Sequence, residues 1–467
     1  MDDAAAAGFR LRADPGLRVL GGGTVLCGGS PVRVLRLALR GATAVAGWFA
    51  GEPVADSVSA RRLARRLLDT GMAHPVVAGG PSPDDVTVVI PVRDRQTELA
   101  RCLAGLTGLR VIVVDDASLD AAATAAVVAR AGATLVRREV NGGPATARNT
   151  GLAAVTTPLV AFLDSDCVPR PGWLTHLLPH FTDPAVGAVA PRIVPHELGT
   201  GWLARYEGAS STLDMGKRPS IVRPGARVSY VPGAALVVMV KAAGTGFDED
   251  MRVGEDVDFA WRLGQAGWRV RYEPAAVMGH QHRVRLRSWL ARRRDYGTSA
   301  AALELRHPGS VRPLYVSGWT AAAWLAVAAG RPGTAVGLTA AATGVLARKL
   351  APVTGPGDAV TLAARLAGGG TVESIRPMGS AITRTWLPLA AGAAIAFRRV
   401  RLPLAVAVLT PPLLDWLDRR PPLDPVRYTA ARLLDDTGYG AGVWQGCWRR
   451  RTIRPLLPRI GGRATST

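Results

Sequence analysis

The stretch Val160–Pro171, VAFLDSDCVPRP, decides the fold class of this chain. Its four apolar residues end abruptly at Asp164-Ser165-Asp166, as in a buried parallel strand that stops at a polar edge. Ligands of open α/β sheets bind just beyond the carboxyl ends of the strands, so we expect both carboxylates beside a ligand. Two desolvated like charges repel unless a cation or a shared proton separates them, and oxygen ligands suit Mg²⁺ or Mn²⁺. A solvated acidic turn is the alternative for so short a motif.

Strands and helices alternate upstream of this stretch. Apolar, β-branched runs at 86–90 and 110–114 are each followed by a helical pattern. The first run ends at a polar loop, 91–95, and the second ends at Asp115 and Asp116. This alternation favours right-handed crossovers, and it predicts an α/β domain with a parallel sheet.

A glycine-rich turn, 141–144, opens a predicted helix that carries Arg148 upstream of the acidic pair. Backbone N–H groups at a helix N-terminus can face an anion, and a guanidinium adds a planar set of donors. We therefore expect a diphosphate between a metal ion and Arg148. The alternative is that the glycines form only a turn.

Further candidate residues lie downstream. Glu255 and Asp256 begin a predicted helix, where the helix dipole favours carboxylates and offers a purely structural explanation for them. His280 and His282 follow a predicted strand and are candidate metal ligands, although a lone histidine is more often structural. Gly233 would let the backbone approach a ligand closely.

The composition limits the kind of protein. The 467 residues predict two or three domains, and the net charge of +21 indicates acidic partners such as nucleic acid, anionic lipid or phosphorylated substrates. No zinc-finger spacing or basic–aromatic pattern favours nucleic acid, so we expect no such partner. The four cysteines form no C-x-x-C pair, and the N-terminus lacks the features of a secretory signal. We therefore expect the catalytic part to stay in the cytoplasm.

Three regions are predicted: a hairpin-and-helix domain at 1–80, an α/β domain at 84–290, and an Ala-rich helical region at 291–467. The apolar runs of the last region lie at 319–347, 386–397 and 402–417. Their uninterrupted parts are shorter than the roughly 20 residues of a spanning helix. One or two marginal spans, amphipathic helices on an anionic leaflet, and a soluble helical cap are the alternatives. We expect membrane association, at the cytoplasmic face of the cell membrane.

Seven segments, taken in order, resemble the family 2 glycosyltransferases of the GT-A fold. They are VTVVIPVRDR at 86–95, VIVVDDASLD at 111–120, GGPATARNTG at 142–151, VAFLDSDCVPRPGWL at 160–174, YVPGAALVV at 230–238, FDEDMRVGEDVDFAWRL at 247–263 and the histidine pair at 280–282. The resemblance implies an α/β GT-A fold. It also implies transfer of a sugar from a nucleotide-sugar donor with Mg²⁺ or Mn²⁺ as cofactor.

The resemblance further implies residues for donor binding. Pro91 and Asp94 would line the nucleotide pocket, and Asp115 or Asp116 would hydrogen-bond the base. Arg148 would lie near the diphosphate or the ribose.

The catalytic residues implied by the resemblance lie in the later segments. Asp164 would contact the sugar or ribose, and Asp166 would coordinate the metal together with Asp164 and His280. Asp256 would be the general base, supported by Glu255, and a single displacement predicts inversion at the anomeric carbon. The Q-x-x-R-W motif of processive synthases is missing after residue 263, so we do not expect long-chain synthesis.

The order of the three regions along the chain narrows the resemblance to one group within this family. Its first region is weakly similar to peptide-binding chaperone domains through the phrase GGSPVRVLRL at 28–37, although a structural extension of the enzyme is the alternative. This region, the transferase and the apolar tail together resemble the glycosyltransferases of mycofactocin systems. That resemblance implies transfer of glucose, in β linkage, from UDP-glucose to a peptide-derived redox cofactor or its precursor. A cell-wall polysaccharide or glycolipid glycosyltransferase and a non-catalytic nucleotide- or peptide-binding scaffold are the alternatives.

Overall fold

The structure is a computed structural model that describes residues 8–197 and 199–461. Within these limits the chain forms two compact units. The first contains 8–18, 26–199 and 210–282, and the second contains 19–25, 200–209 and 283–461. The three predicted domains, 1–80, 84–290 and 291–467, stay a prediction.

The described residues form short strands and mostly short helices. The strands are β1 (Arg10–Ala13), β2 (Arg18–Leu20), β3 (Val25–Gly28), β4 (Arg33–Arg36), β5 (Ala73–Val76), β6 (Val86–Val92), β7 (Arg110–Asp116), β8 (Thr134–Arg138), β9 (Leu159–Leu163), β10 (Cys167–Pro169), β11 (Val186–Pro195), β12 (Ser220–Ile221), β13 (Ala235–Met239), β14 (Arg269–His280), β15 (Tyr315–Val316) and β16 (Arg459–Ile460). The helices are α1 (Leu39–Phe49), α2 (Val58–Thr70), α3 (Gln96–Ala104), α4 (Ala121–Arg130), α5 (Pro144–Ala153), α6 (Trp173–Leu177), α7 (Trp202–Ser210), α8 (Val240–Ala243), α9 (Glu255–Gln265), α10 (Leu286–Arg306), α11 (Gly318–Ala328), α12 (Pro332–Thr354), α13 (Pro356–Ala363), α14 (Gly370–Glu373), α15 (Ile375–Arg384), α16 (Leu387–Ala396), α17 (Arg401–Arg419) and α18 (Pro425–Arg449).

The first unit is built around one large sheet with the strand order β10-β14-β11-β13-β9-β6-β7-β8, and β12 pairs with β14. The strands β6, β7, β8 and β9 run parallel to one another, as predicted, because helices connect them. The rest of the sheet is mixed: β13 is antiparallel to β9 and β11, and β10 is antiparallel to β14.

The strand predicted just before Asp164 is confirmed as β9. All five residues of β9 are buried, and it pairs in parallel with β6. Apolar side chains of β6 alternate between two cores, Val88 and Ile90 on one side of the sheet and Val89 on the other. The acidic turn after β9 therefore follows a strand that is covered on both faces.

The N-terminal region contains the predicted hairpin and two helices, but the apolar pattern after Pro31, which favours a helix, forms the strand β4 before α1 begins at Leu39. β1 pairs with β5, β2 and β3 flank Gly21–Gly23 in a sheet that also contains β4, and α1 and α2 pack on them. Helix α2 ends at Gly71, whose left-handed conformation is typical of a helix C-terminus. Within the first unit this region is held to the large sheet by a buried, two-pronged Arg65–Asp183 pair, with both N–O distances at 2.8 Å.

The second unit is helical and has a polar interior. Arg293 of α10 pairs with Glu207 and, through Nε, with Asp435 Oδ1 at 2.8 Å, and all three side chains are buried. Helices α10 and α18 pack closely through glycines. A Cβ added at Gly297 or Gly442 would overlap a backbone carbonyl of the other helix.

Apolar side chains of the second unit are widely exposed. In the part of the chain that the structure describes, Arg398–Arg419 is the one helical stretch with the length and apolar composition of a membrane span, and 11% of its apolar window is buried. The predicted run 402–417 is thus part of a longer helical stretch, because the turn before α17 and its terminal arginines extend it.

Candidate active site

The acidic pair lies at the carboxyl end of β9, where the tight turn aims its two carboxylates at different partners. Asp164 N–H donates to the Ala234 carbonyl at 2.9 Å, and Asp166 precedes β10. Because β10 pairs with β14 in the register Cys167↔His280, Asp166 lies beside His280. Asp166 Oδ1 is 3.3 Å from His280 Nε2.

Sequence reasoning missed a third member of this group, Arg95, whose guanidinium pairs with Asp166 Oδ2. Arg95 follows β6, which is the direct neighbour of β9 in the sheet, so the two loops meet. Burial would raise the pKa of Asp166, but the hydrogen bond and charge of His280 and the charge of Arg95 outweigh it and hold that pKa below its usual value. The signal that could have found Arg95 is its position just beyond a strand predicted to lie in the same sheet.

Arg148 is buried and joins two parts of the sheet edge. Its Nη2 donates to Asp164 Oδ1 at 2.7 Å, and its Nη1 donates to Glu255 Oε1 at 2.9 Å. Nη2 also lies 3.4 Å from the Gly233 carbonyl oxygen. Burial alone would lower the pKa of Arg148, but the charges of Asp164 and Glu255 outweigh burial and raise that pKa above its usual value. The predicted place of Arg148 near the diphosphate stays a prediction, since its donors are here joined to protein groups.

Glu255 and Asp256 begin α9, as predicted, and their side chains differ in environment. Glu255 is buried, and its pKa is raised to about 6 by burial first and by the Asp256 charge second, against the lowering effect of Arg148. Asp256 is only half-buried, and its carboxylate accepts hydrogen bonds from Gly233 N at 2.7 Å and Val257 N at 2.8 Å.

The close approach expected at Gly233 is present, but protein groups make it. A Cβ at this position would lie 2.9 Å from Asp256 Cβ and 3.2 Å from Arg148 Nη2. A side chain at 233 would therefore push the Asp256 carboxylate and the Arg148 guanidinium out of their places.

The carboxylates that end β7 accept hydrogen bonds from protein groups. Asp115 is completely buried and accepts from Arg137 Nη1 at 2.5 Å. Asp116 accepts from Gly142 N at 3.0 Å and from Gly143 N at 2.8 Å. The backbone N–H groups of the glycine-rich turn thus face an anion, which is the Asp116 carboxylate at the end of β7. The diphosphate expected between a metal ion and Arg148 stays a prediction.

The remaining predicted donor-binding residues lie beside this group. Pro91 is inside β6, opposite Val114 of β7. Asp94 follows β6 with a positive φ of 55°, and its Oδ1 accepts from Leu119 N at 2.6 Å. A hydrogen bond from the backbone N–H of Asp94 to Ser118 Oγ, at 3.0 Å, further joins the loops after β6 and β7.

The residues predicted to bind metal are brought together in part. Asp166 and His280 are neighbours, whereas Asp164 is turned towards Arg148. Among the described residues, no group of three or more His, Cys, Asp or Glu side chains is arranged to hold a metal ion. A carboxylate and an imidazole nonetheless fit a divalent cation that takes its other ligands from substrate phosphates, which is how Mg²⁺ commonly binds.

Comparison with known proteins finds a matching family model and a relative of nearly full length. The family model described as glycosyl transferase family 2 matches residues 87–238. The pre-mycofactocin glycosyltransferase of Mycobacterium tuberculosis (strain CDC 1551 / Oshkosh) is 45% identical over 474 residues, which cover 97% of this chain and 98% of the relative. The succinoglycan biosynthesis protein ExoU of Rhizobium meliloti is 28% identical over 213 residues, which cover 41% of this chain and 60% of that protein.

Among solved structures, the mannosyltransferase PcManGT from Pyrobaculum calidifontis, in complex with GDP-Man and Mn²⁺, matches with a TM-score of 0.44 and 20% identity. The match covers 79% of this chain and 90% of that one, and it carries no conclusion about ligands. The near full-length relative and the family match confirm the resemblance drawn from the seven segments. With an α/β fold of the GT-A type, this chain belongs to the family 2 glycosyltransferases, of the mycofactocin type.

Proposed function

We propose that this glycosyltransferase is a metal-dependent, inverting enzyme that moves glucose, in β linkage, from UDP-glucose to the peptide-derived cofactor mycofactocin or its precursor. The acceptor is suggested by the relative that matches nearly the whole chain, a pre-mycofactocin glycosyltransferase. The observation that carries the chemistry is the bridge from Asp164 through Arg148 to Glu255, with Asp256 beside it.

On the donor side, Asp166 and His280 would hold a Mg²⁺ or Mn²⁺ ion, and Asp164 would contact the sugar or ribose. The ion would supply positive charge against the negative charge that develops on the departing diphosphate. Asp94 and one of the carboxylates after β7 would contact the nucleoside.

On the acceptor side, Asp256 takes the proton of the attacking hydroxyl. The N–H groups of Gly233 and Val257 hold its carboxylate in place, and each carboxylate oxygen keeps a further lone pair for that proton. The acceptor oxygen forms the new bond to the anomeric carbon while the bond to the diphosphate breaks, so the configuration inverts. Arg148 acts as a positioning residue, because it holds both the donor-side Asp164 and the carboxylate next to the base.

Sugar transfer by the purified chain tests the proposal. The full chain is incubated with UDP-glucose, Mn²⁺ and a peptide-derived acceptor, and products are followed by mass spectrometry. Asp256→Asn should lower turnover by at least about 10²-fold without changing donor binding, since it removes only the base. Asp250→Asn, at an exposed turn, is the matched control and should stay fully active. Full activity of Asp256→Asn would place the base elsewhere.

Other results would change the acceptor, the activity or the metal dependence that is proposed. A product only with a glycolipid or cell-wall acceptor would replace the peptide-derived acceptor. Donor binding with no glycosylated product from any acceptor would favour a scaffold that only binds nucleotide. Unchanged turnover of Asp166→Ala, or full turnover with EDTA, would remove the metal ion from the mechanism.

We also propose that the helical region holds the enzyme at the cytoplasmic face of the cell membrane. Support comes from α17, where exposed apolar residues recur at helical spacing along one face; they are Leu402, Val406, Leu409, Leu413 and Leu417. Arginines lie at both ends of this stretch, where they can meet anionic headgroups.

Vesicle flotation tests the membrane proposal. The full chain should float with vesicles of phosphatidylglycerol and phosphatidylcholine. Val406→Glu should weaken this binding, because it buries a charge in the apolar face, whereas Val76→Glu in the first unit should not. Release of the chain by high salt would indicate binding to the membrane surface, whereas release only by detergent would indicate a membrane-spanning helix. Absence of flotation would refute the proposal.

A further inference from the structure

Both carboxylate oxygens of Asp166 contact side chains of the protein. Oδ2 is paired with the Arg95 guanidinium, and Oδ1 is 3.3 Å from His280 Nε2. The Asp166 side chain is 14% exposed and that of Arg95 is 37% exposed. The positive charge that a divalent cation would bring to this carboxylate is therefore already supplied by a partly exposed side chain.

A cation bound to Asp166 would lie close to the guanidinium that is paired with the same carboxylate. At a separation of a few ångströms their like charges repel, more strongly in a partly desolvated site than in water. Arg95 has a long flexible stem and lies on the loop that follows β6, so its guanidinium can leave Asp166 without movement of the sheet.

The displaced guanidinium would stay at the edge where the donor's diphosphate is proposed to lie. Its planar set of donors matches two phosphate oxygens, which is a stronger pairing than a single carboxylate contact offers. Arg95 would then weaken cation binding when the donor is absent, and it would strengthen donor binding when the cation is present.

We propose that Arg95 is an exchangeable counter-ion, which neutralises Asp166 in the empty enzyme and moves to the donor's diphosphate when the divalent cation binds. The inference rests on the proposed function, because it takes Asp166 as the cation ligand. It makes the binding of cation and nucleotide mutually favourable, since each releases or recruits the same side chain. Arg95 thereby delays occupation of the cation site until a donor is present.

Binding measurements, without turnover, test this role. Mn²⁺ affinity of the full chain is measured by electron paramagnetic resonance of free Mn²⁺, with and without UDP, and UDP affinity is measured at saturating Mn²⁺ by calorimetry. Arg95→Met should bind Mn²⁺ alone about five-fold more tightly, the effect of losing a partly exposed ion pair. The same variant should bind UDP at saturating Mn²⁺ about ten-fold more weakly, the effect of losing one charge-assisted phosphate contact.

Arg101→Met is the matched control for charge. Arg101 contacts Gln281, whose backbone N–H donates to the Asp166 carbonyl, so its charge lies near the same site without touching the carboxylate. We expect less than about two-fold change in either affinity for this variant. Equal gains in Mn²⁺ affinity for the two variants would show a general charge effect and overturn the proposal.

The opposite signs of the two Arg95→Met effects distinguish this role from a structural one. Weaker binding of both Mn²⁺ and UDP would mean that Arg95 only supports the loop, and unchanged UDP affinity would exclude the move to the diphosphate. Failure of the proposed metal site looks different. A wild-type chain that binds no Mn²⁺, together with full sugar transfer by Asp166→Asn, would overturn both the metal site and the role of Arg95.

Discussion

Replacing Arg148 with methionine should destabilise the first unit by an amount that depends on pH. Arg148 is 3% exposed and pairs with Glu255, which is also buried, and with Asp164, which is one-third exposed. Breaking a buried pair by removing one partner costs about 3–5 kcal/mol, because the other charge is left uncompensated. Asp164 can regain water, so it adds little, and we expect a loss of about 3 kcal/mol at pH 8.

The pH dependence follows from Glu255. Its folded-state pKa of about 6 lies above the value of 4.5 for a free glutamate, so folding stability falls as pH rises from 4.5 to 6. Without the Arg148 charge that pKa rises further, and the fall in stability continues to higher pH. At pH 5 Glu255 is mostly protonated in both proteins, so the loss should shrink to about 1 kcal/mol, the value of a typical hydrogen bond.

Urea unfolding of the full chain at pH 5 and pH 8, followed by tryptophan fluorescence, measures both values. Adding Glu255→Gln to Arg148→Met should recover about 2 kcal/mol at pH 8, since it removes the buried charge. Arg130→Met is the control at an exposed helix position, and it should change stability by less than about 0.5 kcal/mol. A loss for Arg148→Met below about 1 kcal/mol at pH 8, or an equal loss at both pH values, would refute the reasoning.

Two further predictions concern packing and protonation elsewhere. Gly442→Ala should destabilise the second unit by about 2 kcal/mol or more, because the added Cβ overlaps the Arg294 carbonyl. Gly337→Ala, at an open helix position, is the control and should be neutral or slightly stabilising. Thermal melting measures both variants, and equal shifts of the melting temperature would contradict the prediction. Burial lowers the pKa of His74, whose Nε2 is 2.9 Å from Asp14, so the His74 contribution to stability should fall as pH drops below 6.5, opposite in sign to the Glu255 contribution. The urea midpoint of the wild type relative to that of His74→Gln should therefore fall as pH drops, and a constant difference between the two midpoints would contradict this.

The amino-acid sequence alone determined the features that depend on local pattern. The short apolar run before Asp164 predicted β9, alternating apolar runs and helices predicted the α/β class, and the glycine-rich turn at 141–144 predicted the start of α5. Each follows from side-chain periodicity or from backbone freedom at one position, which neighbouring residues in the chain are sufficient to specify. Seven such local segments in one order also identified the family.

Tertiary structure decided which charged groups meet. Arg95 and Asp166 are far apart in sequence, as are Arg148 and Glu255, and they come together only because particular strands are neighbours in a particular register. Long-range packing also brings Asp116 to the glycine-rich turn, where it accepts hydrogen bonds from the backbone N–H groups that were expected to face a phosphate. A side chain's partner is set by long-range packing and charge compensation, and no local pattern carries that information.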